Sequence, residues 1–220
     1  MKNLTLILIF LAFLSCTKQI DQNVTEGNGI ANTAIKESKE PIQLAAQRPK
    51  PGTSTTFTKY TIQEGAHSCD QSTLKSVSGS SMNFVAKFDS TAIYSISTAD
   101  STDINKLYGF SEGIDNHQNS ARIGWRYMNS RLELFAYVYV NGTLLRDATT
   151  YDPPFIKTVE IGNEINCSIA VSGAYYIFIV DGVEVRTARG RTTSTYSGYQ
   201  QYPYFGGNAV APHLMNFYIR

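Results

Sequence analysis

The strongest pattern in the chain is strict alternation between residues 131 and 140. Leu132, Leu134, Ala136, Val138 and Val140 fall on one side of an extended strand. Arg131, Glu133, Phe135, Tyr137 and Tyr139 fall on the other. Asn141-Gly142 follows and predicts a two-residue hairpin, because that turn needs positive φ at both positions. Asp181-Gly182 predicts the same between strands at 175–180 and 183–187. Asn129-Ser130 separates a strand at 121–128 from the one at 131–140. Shorter runs predict strands at 57–62, 82–88, 92–97, 106–110, 156–161, 165–171, 202–205 and 214–219. No amphipathic helical period interrupts them. Short strands with turns between them predict an all-β fold, two antiparallel sheets stacked as a sandwich or jelly roll.

The N-terminal part follows a different pattern. Lys2 precedes an apolar run from Leu4 to Leu14, too short to cross a hydrocarbon layer of ~30 Å as a helix. It reads as a secretory signal. Ser15 and then Cys16 close the run, and a small residue before such a Cys resembles the bacterial lipobox. Phe13 stands where that family usually has Leu. The resemblance implies removal of residues 1–15 and acylation of Cys16, with the lipid bilayer as a partner. Two or more acyl chains anchor stably, since each buried methylene contributes ~0.8 kcal/mol. The competing reading is an ordinary signal peptide with an incidental Cys. The expected location is the cell envelope, at the outer membrane or cell surface.

Residues 17–56 contain no Phe, Tyr or Trp and end in Arg48-Pro49-Lys50-Pro51-Gly52. Such a segment buries too little apolar surface to offset its ordering entropy. Residues 16–56 are therefore expected to be a flexible linker, with transient helix around 31–46. All 14 Tyr and the single Trp lie beyond it. Residues 57–220 suit one domain with a sizeable core, expected to be monomeric.

Charge and cysteine usage narrow the function classes. A formal net charge of +1 argues against a nucleic-acid partner, which requires a basic stripe. With Cys16 acylated, Cys69 and Cys167 remain. An oxidising compartment permits a disulfide between them. Cys167 also shares a strand face with Ile165, Ile169 and Val171, which favours two separate buried thiols instead. No Cys or Cys–His spacing suits zinc. Neither a nucleotide-binding Gly loop nor a Gly-x-Ser-x-Gly elbow is present. Asp147 and Asp152 stand as isolated acids in a loop. No metal or cofactor is expected.

Two stretches carry a family resemblance. One runs from Ile165 to Gly173, then from Tyr175 through Asp181-Gly182 to Val185; the other runs from Tyr204-Phe-Gly-Gly207 to Ile219. They resemble the late strands of concanavalin A-like jelly rolls, and an uncharacterised group of bacterial lipoproteins within that superfamily. The resemblance covers roughly residues 121–220. That superfamily includes lectins, laminin-G-type modules, glycoside hydrolases and polysaccharide lyases, so it implies a fold more than an activity. Its members commonly bind glycans on a concave sheet.

The residues themselves point to the same ligand class. The face bearing Glu133, Phe135, Tyr137 and Tyr139 mixes rings with charge. Sugar C–H patches lie on aromatic faces, and sugar hydroxyls need planar donors and acceptors. In the neighbouring strand Arg122, Gly124 and Arg126 share one face, while Ile123, Trp125 and Tyr127 share the other. Pairing through Asn129-Ser130 brings Arg126 beside Glu133 and places Arg122 on the surface of Tyr137. Expected carbohydrate-binding residues are Arg122, Arg126, Glu133, Tyr137, Tyr139 and His117. Two plainer readings compete. The rings could lie under loops. Arg126 and Glu133 could form a cross-strand ion pair worth roughly 0.2–1 kcal/mol, rather than a grip on a glycan carboxylate or sulfate. Trp125 reads as core.

An enzyme needs more. Glycosidases need two carboxylates flanking the bond. Glucanases resembling this fold carry a Glu-x-Asp-x-Glu strand, whereas Glu133 stands alone. A polysaccharide lyase needs a Tyr or His base beside an Arg, parts that His117, Arg122, Tyr137 and Tyr139 supply. The Arg-x-Glu-x-Arg and Gln-x-His runs of alginate-lyase-type jelly rolls are missing. The sequence thus favours a noncatalytic carbohydrate-binding lipoprotein; the competing readings are a polysaccharide lyase of jelly-roll type and a noncatalytic adhesion or structural lipoprotein.

Overall fold

The computed structural model describes residues 55–97 and 100–220. The leader, Cys16 and the linker up to residue 54 lie outside the described residues. The described residues form thirteen strands and one short 3-10 turn. The strands are β1 (Thr58–Ile62), β2 (Ser76–Gly79), β3 (Ser81–Phe88), β4 (Asn105–Ser111), β5 (Ser120–Met128), β6 (Arg131–Val140) and β7 (Thr143–Leu144). Then follow β8 (Phe155–Val159), β9 (Glu164–Ser172), β10 (Tyr175–Val180), β11 (Val183–Ala188), β12 (Tyr196–Gln201) and β13 (Met215–Ile219). A six-stranded sheet runs β1-β13-β3-β9-β10-β11, and a seven-stranded sheet runs β2-β12-β4-β5-β6-β7 with β8 paired to β6. This is the two-sheet antiparallel sandwich that the alternation predicts.

Three tight turns set its registers. Asn129 and Ser130 take φ of 52° and 59°, Asn141 and Gly142 take 49° and 83°, and Asp181 and Gly182 take 43° and 83°. Both central residues of each turn are left-handed, which matches the twist of the strands they join. A one-residue slip would turn each buried face outward.

The core lies between the sheets. Ala121, Ile123 and Trp125 of β5 and Leu132, Leu134, Ala136 and Val138 of β6 join Phe84, Phe88, Ile169, Phe178 and Phe217 there. Trp125 is fully buried, with Phe88 at 5.4 Å, Tyr94 at 5.7 Å and Phe217 at 5.4 Å between ring centroids. Each large apolar side chain sealed in this way contributes roughly 1.5–3 kcal/mol. At one seam the sheets are joined by polar groups. Glu112, just past β4, accepts from Arg189, just past β11, and from the Tyr176 hydroxyl of β10. Arg189 also donates to the carbonyls of Gly173, Thr193 and Thr195.

Two expected strands are absent. Residues 92–97 form no strand. The Asp89 carboxylate accepts from the Thr91 N–H at 2.9 Å and caps a 3-10 turn, Ser90–Ala92. Ala92 and Tyr94 are still buried, so the period-2 signal there reports burial and not pairing. Residues 202–205 are no strand either, because Pro203 has no N–H to offer a ladder. Only isolated bridges from Tyr204 to Ser68 and Lys106 remain. The strand lies just before, in β12, whose polar sequence hides it; β2 is hidden likewise. Gly198 fits there because a Cβ would stand 1.9 Å from the Ser111 carbonyl oxygen. Cys69 and Cys167 are both buried as free thiols, so the disulfide alternative gives way to two separate core residues.

Candidate functional site

β5 and β6 carry the candidate residues. Their ladder pairs Arg126 with Glu133, Gly124 with Phe135, Arg122 with Tyr137 and Ser120 with Tyr139. The aliphatic half of each strand enters the core. The other half forms the outer face of the seven-stranded sheet, as the alternation predicts.

That outer face is less open than expected. Phe135 is 1% exposed and Tyr137 is 7% exposed, so neither ring presents a bare platform. Side chains from neighbouring elements lie against both rings. Gly124 leaves a slot in the face, and Ile104 fills it; a Cβ on Gly124 would stand 2.6 Å from Ile104 Cγ2. The Phe155 ring meets Phe135 edge-on at 5.7 Å, and the Arg126 guanidinium lies 4.9 Å over Phe135. Over Tyr137 lie the Arg122 guanidinium at 5.0 Å and the Lys106 ammonium at 4.9 Å. Tyr139 stays half-buried, 5.9 Å from Tyr137, and exposed His117 meets it edge-on at 5.0 Å.

The face divides into two halves of different electrostatics. In the first, Arg126 is fully engaged. Its Nε lies 2.8 Å from Glu133 Oε2, and its Nη1 lies 2.9 Å from Asp152 Oδ2. The cross-strand ion pair therefore exists, with a second acid added from the loop before β8. Arg126 is shared between two carboxylates, Glu133 and Asp152, so this half of the face carries one net negative charge. Asp147 in the same loop caps a turn by accepting from the Thr149 and Thr150 N–H groups at 2.9 and 3.0 Å.

In the second half the cations face no paired acid. Arg122 is 5% exposed, and its Nε and Nη2 are sealed with no hydrogen-bond partner. Burial lowers its pKa, while nearby Tyr137, Tyr139 and Tyr204 act the other way. Lys106 is 7% exposed and donates to the Gly206 carbonyl at 2.6 Å. Burial first, and the Arg122 charge second, push the Lys106 ammonium down to about 8, with Asp103 opposing. Burial likewise holds the Tyr137 hydroxyl well above its ordinary range. Tyr204 closes the rim. It is 37% exposed, lies 5.4 Å from the Lys106 ammonium, and stacks on His67 at 5.3 Å.

The structure thus brings Arg122, Tyr137, Tyr139 and His117 together, and sets Arg126 and Glu133 apart in an internal pair. Lys106, Tyr204 and Ile104 escape sequence reasoning. For Lys106 a signal existed, since it is the one charged residue of the strand expected at 106–110. Tyr204 comes from a remote loop, and no spacing announces it. Two surface recesses, of about 170 and 250 Å³, lie elsewhere, beside Tyr94 and Met128 and beside Arg131 and Ile161.

No protein-family model matches the chain. No curated protein matches it either. Among solved structures it is similar to the carbohydrate binding module CBM66 from Bacillus subtilis, at 10% identity and a TM-score of 0.33. The similarity covers 76% of this chain and 99% of that one.

Proposed function

We propose that this chain is an exported lipoprotein of the cell envelope whose β-sandwich domain binds carbohydrate, as a concanavalin A-like module does. Residues 1–15 serve as the leader, acylated Cys16 as the anchor and residues 16–56 as the tether. Residues 57–220 form the binding domain, which acts as a monomer. The carrying observation is the cluster on the outer face of the seven-stranded sheet. Partly open Tyr139 and Tyr204 flank Arg122 and Lys106, both stacked on Tyr137. Rings supply the surface for sugar C–H patches, and the fixed cations supply donors for hydroxyl and acid groups. Stacking on Tyr137 holds the donors rigid, so little ordering entropy opposes binding.

Affinity electrophoresis through gels containing a panel of polysaccharides tests this reading. The wild-type protein is expected to be retarded by at least one polymer. Tyr139→Ala combined with Tyr204→Ala should abolish that retardation at unchanged thermal stability. Full retardation of the double variant would remove the site.

A polysaccharide lyase is the second reading, favoured by one observation. Lys106, brought down to about 8, sits beside Arg122. A base next to a carboxylate-neutralising Arg is the pair that β-elimination of a uronate needs. Growth of the ultraviolet absorbance of an unsaturated uronate would establish it. Stable polymer length after long incubation would leave binding alone.

A further inference from the structure

We infer that Arg122 and Lys106 form the seat for a single anionic substituent, a carboxylate or sulfate of an acidic glycan. This rests on the carbohydrate reading above and names its ligand class.

Three observations carry it. The first is the open edge of Arg122. Nε and Nη2 are the two atoms on one side of the guanidinium, the side that takes a carboxylate with two parallel bonds. Both are sealed and unpartnered. Arg189 uses this same edge to hold Glu112 elsewhere in the molecule. A buried donor left without an acceptor is destabilising, and such a cost persists where a ligand relieves it.

The second observation is the contrast along β5. Four residues on, Arg126 lies on the same face and is held by two carboxylates. The fold can place acids against an Arg on this face, and does so at one of the two positions.

The third is the company of Arg122. Lys106 from β4 leans over the same Tyr137 ring, so two cations converge on one ring with no acid bonded to either. Facing Lys106 are Arg122 of β5, Tyr137 of β6, Tyr204 and, from the loop before β4, Asp103. One incoming negative charge would balance this half of the face. Tyr139 and Tyr204, both near Arg122 and both partly exposed, form the rim on the way to it.

Binding of a polyuronate, measured by calorimetry beside the same polymer with its carboxyl groups reduced to alcohols, tests the seat. Dextran sulfate beside dextran forms the second arm. The intact protein should bind one acidic polymer at least roughly tenfold more tightly than its neutral counterpart. Which arm shows the preference tells carboxylate from sulfate. Arg122→Met should erase the preference. Should that variant fail to fold, Lys106→Met serves instead, together with a steep fall in affinity as salt is raised from about 0.05 to 0.5 M. Equal affinity for acidic and neutral forms, still lost in the Tyr139/Tyr204 double variant, would overturn the anionic seat while the carbohydrate reading stands. No binding to any polymer would overturn both.

Discussion

Glu112 and Arg189 meet edge to edge at the seam between the sheets, with Nε–Oε1 at 2.6 Å and Nη2–Oε2 at 2.8 Å. Both side chains are almost wholly buried, at 0% exposure for Arg189 and 2% for Glu112. Such a pair adds little over an apolar pair of the same shape, since desolvation offsets attraction, but removing one member strands a buried charge. Glu112→Gln should therefore cost about 3–5 kcal/mol, read as a drop in the urea midpoint. A loss below about 1 kcal/mol would mean that water reaches the pair.

Arg122→Met should behave in the opposite way. Its sealed nitrogens have no acceptor, so an apolar replacement removes an uncompensated cost. We expect stability to rise by on the order of 1 kcal/mol, checked by denaturant unfolding. A fall of more than about 2 kcal/mol would give Arg122 a structural role and weaken the site.

Lys106 should impose a pH signature. Its pKa is lowered from 10.5 to about 8 in the folded protein. Between those values the unfolded chain binds a proton that the native state does not. The Lys106 contribution to stability therefore rises with pH across that window, by up to about 1.4 kcal/mol per unit. Below about 8 it is flat. Cys69 and Cys167, raised by burial, act in the opposite sense above 9. The comparison is therefore between wild type and Lys106→Met, in which those thiols cancel. The advantage of the Met variant should shrink from pH 8 to 10; a constant gap would refute the shift.

Gly198→Ala and Gly124→Ala should separate cleanly. At Gly198 the added carbon would meet the Ser111 carbonyl oxygen at 1.9 Å, and that backbone cannot yield without breaking the β12–β4 ladder. At Gly124 it meets the Ile104 Cγ2 methyl at 2.6 Å and the Tyr137 Cβ at 3.1 Å, side-chain carbons that can give by a small shift without breaking a ladder. Losses of about 3 kcal/mol or more and about 1 kcal/mol are expected, respectively. Thermal melts of the two variants decide the order.

The fold was legible where alternation and turn chemistry agreed. Asn129-Ser130, Asn141-Gly142 and Asp181-Gly182 all mark observed hairpins, and 131–140 is β6 to the residue. β12 was illegible because Tyr-Ser-Gly-Tyr-Gln-Gln has no apolar face to betray it; its place rests on close backbone approach at Gly198. The sidedness of β6 was also legible, and so was the meeting of Arg126 with Glu133. The burial of Phe135 and Tyr137 was not. It depends on Ile104, Lys106, Phe155 and Arg122 folding over the rings, and period-2 reasoning tells which way a side chain points but not what lies on top of it.

β1 is an edge strand of five residues whose ladder partner is β13 alone. Any pull transmitted from the segment ahead of Thr58 enters the sandwich there, in the six-stranded sheet. Arg122 and Tyr137 sit in the other sheet. Under load, the edge would peel before strain crossed the core, and the face that carries Arg122 and Tyr137 would stay intact.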